Sequence, residues 1–264
     1  MLTIVVTATS RVCDVRDRVL GKIPWDGRME TAGAGVSRHA IQSGRNVLDA
    51  VLVRPDAGEA RASVLICHGI GETVRHWLVV QQMLASCGVA SLVFDYAGYG
   101  RSSGVFNAGQ AELDAVAAFR CLEGLTAPMP VSVLGLSLGS GIAAAISGKV
   151  AAHRVVLCAA FTSLRKAAVS VGVPRLLAVG APAIWEAQDS LRDCAVPVLI
   201  VHGEKDGLFP VRMASEIHSF CGSAELVIVP KGTHNDPFYH PQLSYWGEIV
   251  ARFLKQEGTE RLRD

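Results

Sequence analysis

Six apolar runs of six or seven residues recur along the chain at intervals too wide for tight turns: SVLICH (63–68), VASLVFD (89–95), VSVLGL (131–136), RVVLCAA (154–160), VPVLIVH (196–202) and AELVIVP (224–230). Segments of helical pattern lie near residues 75–87, 107–123, 138–150, 210–220 and 241–256. Strands joined by helices in this way lie parallel, with the connections covering both faces of the sheet. Runs that are apolar throughout, rather than alternating, agree with burial on both sides. Ahead of them, VSRHAIQ and NVLDAVLVRP flank Ser43-Gly44-Arg45 and read as a hairpin, which brings the strand count to eight. The expected architecture is therefore α/β: a mostly parallel eight-stranded sheet flanked by helices, in a single domain over residues 1–264.

One interval breaks the rhythm. Residues 162–195 are too long for a simple crossover and rich in Ala, Val, Leu and Pro. They are expected to form a small helical lid inserted after the sixth strand. Residues 1–35 carry no clear pattern.

Composition narrows the function classes. A formal net charge of +1 gives no basic or acidic excess for nucleic acid, an anionic membrane or an acidic partner. Seven cysteines stand singly, at 13, 67, 87, 121, 158, 194 and 221, several in apolar runs. They read as small buried hydrophobes in a reducing compartment, not as a disulfide framework or a zinc site. MLTIVVTATS lacks a basic region followed by a long apolar one, and the apolar stretch at 167–187 is broken by Pro174, Arg175 and Pro182. Neither a secretory signal nor a membrane span is expected, and the expected location is the cytoplasm. With no metal-ligand spacing and no GxGxxG after a strand, no cofactor or metal is expected.

Gly135-Leu136-Ser137-Leu138-Gly139 has the form GxSxG. Five residues alone are weak evidence, but this set follows an apolar strand and opens an Ala-rich helical segment. A strand-to-helix turn this tight strains the serine backbone and leaves no room for side chains at the flanking positions. Ser137 would then stand clear at the carboxyl end of the sheet, beside a helix N-terminus that favours developing negative charge. A purely structural role would be to cap the helix.

A nucleophilic serine needs a base, and the base needs a group that fixes its tautomer. Catalysis in parallel sheets gathers at the carboxyl ends of strands. VPVLIVHGEKD places Asp206 just past one such end, and LVIVPKGTHND places His234 just past the next. Among the rivals, His218 lies inside a helical pattern and His240 starts the last helix, while His202 and His68 end strands before Gly and read as satisfied structural residues. Glu204 lies near Asp206 with a poorer positional match. No carboxylate occurs from Lys149 to Trp185, which closes the preceding strand end as a source of the acid. The oxyanion donors would be the amides of Leu138, which follows the serine, and Ile70, in the loop after the strand SVLICH.

Taken in order, HGIGE (68–72), DYAGYGRSSG (95–104), GLSLG (135–139), HGEKD (202–206) and GTHND (232–236) resemble the α/β-hydrolase superfamily over about residues 36–256. The resemblance implies the α/β-hydrolase fold, a serine hydrolase with Ser137, Asp206 and His234 in the triad's order, and a structural role for GYGRSSG. HGIGETVRHW is similar to the HGxGEHxxRY region of monoacylglycerol lipases, though it lacks the first His and carries its Arg one place earlier. That likeness implies Glu72 and Arg75 by the acyl-acceptor pocket. The insert resembles the small caps of esterases and protein depalmitoylases.

The chemistry expected is hydrolysis of a small-molecule ester or thioester carrying an apolar acyl chain, of the carboxylesterase or lipase kind. Leu176, Leu177, Ile184 and Trp185 of the insert could line an acyl pocket. Amide, peptide or C–C bond hydrolysis uses the same triad and stays open, as does a non-catalytic binding protein of the same fold. Serine at 137 argues against hydrolases whose nucleophile is Asp.

Overall fold

The computed structural model describes residues 35–55, 60–180, 183–235, 250, 251 and 253–255. The expected strands form β1 (Val36–Ser43), β2 (Asn46–Val53), β3 (Ala62–Cys67), β4 (Val89–Phe94), β5 (Val131–Leu136), β6 (Val155–Cys158), β7 (Val198–Gly203) and β8 (Ala224–Val229). They make one sheet in the order β1-β2-β4-β3-β5-β6-β7-β8. β1 pairs antiparallel with β2 and β2 with β4, and every later pairing is parallel.

The helices between them are α1 (Val74–Ser86), α2 (Ala108–Thr126), α3 (Leu138–Ser147) and α7 (Arg212–Phe220). Successive strand residues point to opposite faces, and both faces are covered. Leu65, Val133, Leu157 and Ile200 belong to one apolar core. Val64, Ile66, Leu134, Val156 and Leu199 belong to the other. Each fully buried aliphatic side chain of this kind contributes about 1.5–3 kcal/mol. The helix expected near 241–256 falls mostly outside the described residues; 250, 251 and 253–255 are helical.

Strand order places the site. From β3 the chain passes to β4 on one side, then returns so that β5 lies on the other side of β3. The connections leaving the carboxyl ends of β3 and β5 therefore diverge and open a crevice between them. The GxSxG segment and the HGIG loop flank that crevice.

The insert is not one helix. It holds α4 (Leu164–Ser170), α5 (Arg175–Ala178) and α6 (Ala187–Leu191). The Ala187 amide donates to the Thr162 carbonyl at 2.9 Å. The Trp185 indole Nε1 donates to Glu112 Oε1 of α2 at 3.0 Å. Trp185 is buried, and its Cβ lies 3.1 Å from where a Cβ on Gly141 would stand. It anchors the insert to the body, which corrects its expected place in an acyl pocket. Leu176 needs a larger correction. It is 90% exposed and Leu177 is 50% exposed, so neither lines an interior pocket.

Asp95, at the end of β4, joins two loops. Its Oδ1 accepts from the Val74 amide at the start of α1 at 2.8 Å, and its Oδ2 accepts from the Arg101 amide at 3.3 Å. Burial raises its pKa to about 6, against the lowering effect of those amides. A folded value above the unfolded 3.8 means that the protonated form is favoured in the fold, so stability present at low pH is lost as pH rises through 6. The whole loss is about 3 kcal/mol, at about 1.36 kcal/mol per unit between the two values. Asp95→Asn cannot ionise. In urea titrations at pH 4.5 and 7.5, wild type is expected to lose stability relative to this variant, and a constant gap would contradict the coupling.

Candidate active site

The elbow is as tight as the spacing predicts. Ser137 has φ 54° and ψ −117°, a region that a side chain with Cβ rarely occupies. A Cβ on Gly135 would stand 2.1 Å from the Gly139 carbonyl oxygen, and one on Gly139 would stand 1.9 Å from the Cys67 carbonyl oxygen. Each would require the backbone to move. Gly139→Ala is accordingly expected to destabilise the fold by about 3 kcal/mol or more. An unchanged urea midpoint would overturn that reading of the elbow.

The Ser137 side chain does not cap α3, which removes the purely structural role. Its amide donates to the Cys158 carbonyl at 3.0 Å, holding the turn against the end of β6. Its hydroxyl points elsewhere: Oγ lies 2.9 Å from His234 Nε2. On the other side of the ring, His234 Nδ1 lies 2.8 Å from Asp206 Oδ2. With a carboxylate at Nδ1, that nitrogen carries the proton and Nε2 is left to accept from the hydroxyl. All three residues are buried, so the line is shielded from bulk water.

Asp206 is held from both oxygens. Oδ1 accepts from the amides of Leu208 and Phe209, each at 2.8 Å. Burial alone would raise its pKa. Hydrogen bonds from His202 and His234, the His234 charge and the Phe209 amide outweigh that and hold the carboxyl well below the usual carboxylate range. The Phe209 ring meets the His234 imidazole edge-on, with centroids 5.0 Å apart, and packs in turn on Phe161 at 5.4 Å.

The other expected residues fall as follows. Leu138 is the first residue of α3, where an amide has no carbonyl one turn back to bond. Ile70 lies in the loop after β3, and the close approach of Gly139 to Cys67 and His68 sets that loop beside the elbow. Glu72 is corrected. It is fully buried, and its Oε2 accepts from the Gly69 amide at 2.6 Å and from Trp77 Nε1 at 3.0 Å. It braces the loop from inside instead of facing a substrate. Arg75 is exposed on the first turn of α1.

His218 is exposed on α7. His68 is buried against Tyr96, with ring centroids 4.3 Å apart, as a structural residue would be. Glu204 Oε2 accepts from the Lys231 amide at 2.7 Å, away from the imidazole. His240 lies outside the described residues. His202 departs from its reading as a satisfied structural residue, since its Nε2 lies 3.3 Å from Asp206 Oδ2. The six described cysteines are free thiols, and burial pushes Cys67 up to about 12. Among the described residues no cluster of His, Cys, Asp or Glu could hold a metal ion, and no helix is long and apolar enough to cross a membrane.

A family model described as serine aminopeptidase, S33, matches residues 58–186, which include the HGIG loop and the elbow. An esterase of Pyrococcus furiosus superposes with a TM-score of 0.71 at 19% identity, covering 88% of this chain and 94% of that one. Est1E of Butyrivibrio proteoclasticus, solved with ferulic acid bound, gives 0.68 at 22% identity over 81% and 97%. The chain has the α/β-hydrolase fold.

Protein bem46 of Schizosaccharomyces pombe is 26% identical over 221 residues, covering 78% of this chain and 71% of that protein. The lysophosphatidylserine lipase ABHD12 of Macaca fascicularis is 23% identical over 223 residues, covering 75% of this chain. The match spans 56% of the length of that lipase, little more than half.

Proposed function

We propose that this α/β-hydrolase is a serine carboxylesterase acting on small esters or thioesters with an apolar acyl group, through an acyl-enzyme intermediate. The observation that carries the proposal is the continuous line from Ser137 Oγ through the His234 imidazole to the Asp206 carboxylate, with spacings of 2.9 and 2.8 Å. In the first half-reaction Oγ attacks the ester carbonyl carbon while its proton passes to His234 Nε2. The oxyanion is received by the amides of Ile70 and Leu138. Collapse breaks the bond to the leaving alkoxide or thiolate, which takes the proton back from His234. Water then attacks the acyl-enzyme, giving a proton to the same nitrogen, and the acid departs as Ser137 regains its hydrogen.

An apolar acyl group is supported by the Phe209 ring packed against the imidazole, with Phe161 packed on Phe209 in turn. Relatives named as esterases and as a lysophosphatidylserine lipase favour an ester over an amide. The aminopeptidase description of the matching family model makes amide hydrolysis the second reading.

A fluorophosphonate probe is expected to label the wild-type protein and not Ser137→Ala. Folded wild type that takes no label would point to a binding protein instead. Acyl esters from acetate to palmitate, with monoacylglycerols, lysophospholipids, thioesters and aminoacyl naphthylamides beside them, separate the substrate classes. Turnover confined to the naphthylamides would replace the ester reading with the peptidase one.

A further inference from the structure

Among the described residues, His202 is the one histidine besides His234 that touches the acid. It lies on β7, four residues before Asp206, and is fully buried. Its Nε2 lies 2.8 Å from the Phe209 carbonyl oxygen and 3.3 Å from Asp206 Oδ2. Both neighbours are acceptors, so Nε2 carries the ring proton. Nδ1 is buried with no hydrogen-bond partner among the described residues. A residue that merely filled this space would be better apolar, because an orphaned buried polar atom destabilises a fold.

We propose that His202 is a second positioning residue for the acid, its Nε2–H holding Asp206 Oδ2 from β7 and sharing that oxygen's charge with His234. The inference rests on the reading of Asp206 as the group that orients His234. With His202 in place, Oδ1 accepts from the Leu208 and Phe209 amides, and Oδ2 is bonded to His234 with His202 Nε2 3.3 Å away. The carboxylate cannot rotate without breaking one of these contacts. The same Nε2–H also holds the Phe209 carbonyl, and the Phe209 ring walls the His234 imidazole.

Among the described residues, the titratable groups that face Asp206 are His202 from β7 and His234 from the loop after β8. Glu204 and Lys205 are exposed, and the Glu204 carboxylate is turned to the Lys231 amide. Removing His202 therefore leaves the charge of Oδ2 to His234 alone, which favours the imidazolium, and frees the carboxylate to turn.

His202→Leu is expected to lower kcat for a p-nitrophenyl ester about tenfold, the scale of lost supporting hydrogen bonds, with KM unchanged. The acid limb of the kcat/KM profile is expected to move to higher pH. His202→Gln, whose side-chain amide can place a donor near the same point, is expected to restore most of kcat and the original limb. Wild-type kcat with an unmoved limb in His202→Leu would overturn the proposal, as would equal losses in the Leu and Gln variants.

Should His202→Leu fail to fold, 15N-labelled histidine in the wild-type protein, with His202 assigned through the Gln variant, decides the matter. The expected signature is a protonated Nε2 and a bare Nδ1, and a proton on Nδ1 overturns the proposal. Ring nitrogen shifts do not depend on turnover, so a wild type that cleaves no ester would defeat the esterase reading without obscuring this contact.

Discussion

Ser137→Ala is expected to lower kcat for p-nitrophenyl esters by about a hundred-thousandfold to a millionfold, as removal of the nucleophile does in comparable triads. Alanine removes only the oxygen. The strained backbone at φ 54°, the amide bond to the Cys158 carbonyl and the packing of α3 do not depend on it. The folded state should therefore survive, with unfolding midpoints near wild type, and the loss should appear in kcat more than in KM. The residual rate is what two amide donors and proximity supply without a covalent step. His234 Nε2 would then face an empty position and could at best activate water. Turnover within tenfold of wild type would show that the attacking oxygen lies elsewhere.

Asp206→Asn is expected to cost about ten-thousandfold in kcat, the size of the effect when the acid of a triad becomes an amide. The reason lies in the donors around it. Leu208 and Phe209 amides point at Oδ1, while His234 Nδ1 and His202 Nε2 point at Oδ2. The asparagine oxygen can serve one pair and its NH2 group must face the other. If the oxygen stays with the backbone amides, the NH2 meets His234, the imidazole turns its proton to Nε2, and the nitrogen that should accept from Ser137 becomes a donor. If the amide flips, two backbone donors in a buried loop lose their acceptor and stability falls instead. kcat and the urea midpoint measured together separate the two outcomes, and a variant near wild type in both would refute the geometry. Acidification acts on the same group differently. With its pKa held far down, Asp206 keeps its charge through mild acid, and its contribution to stability is lost only as pH falls well below the usual carboxylate range.

Much of this was legible before the structure because it is written in short range. The strands are runs that can only be buried on two faces. The elbow is five residues between a strand and a helix. The acid and base each follow a strand directly, so position along the chain stands in for position in space. What stayed illegible depends on side-chain direction across the fold. Nothing in VPVLIVHGEKD says that the imidazole at 202 turns back onto the carboxylate four residues later. Glu72 lies in a motif shared with lipases, yet the orientation of its carboxylate depends on Trp77, one turn into the next helix. The insert misled for another reason. Helices of four to seven residues and the irregular segment between them are too short to display a period, so apolar character could not tell Leu176, which is exposed on α5, from Trp185, which is buried just before α6.

The loops after β7 and β8 are stitched to each other. A Cβ on Gly203 would stand 2.4 Å from the Thr233 carbonyl oxygen, and the Lys205 amide donates to the Gly232 carbonyl at 2.7 Å. Acid and base therefore travel as one body, while the serine is carried by β5, two strands nearer the middle of the sheet than β7. Loosening the β8 border on warming would withdraw imidazole and carboxylate together and leave the hydroxyl in its strained turn. Activity would then fade ahead of the melting of the core, and cooling would return both partners to the same hydroxyl at once.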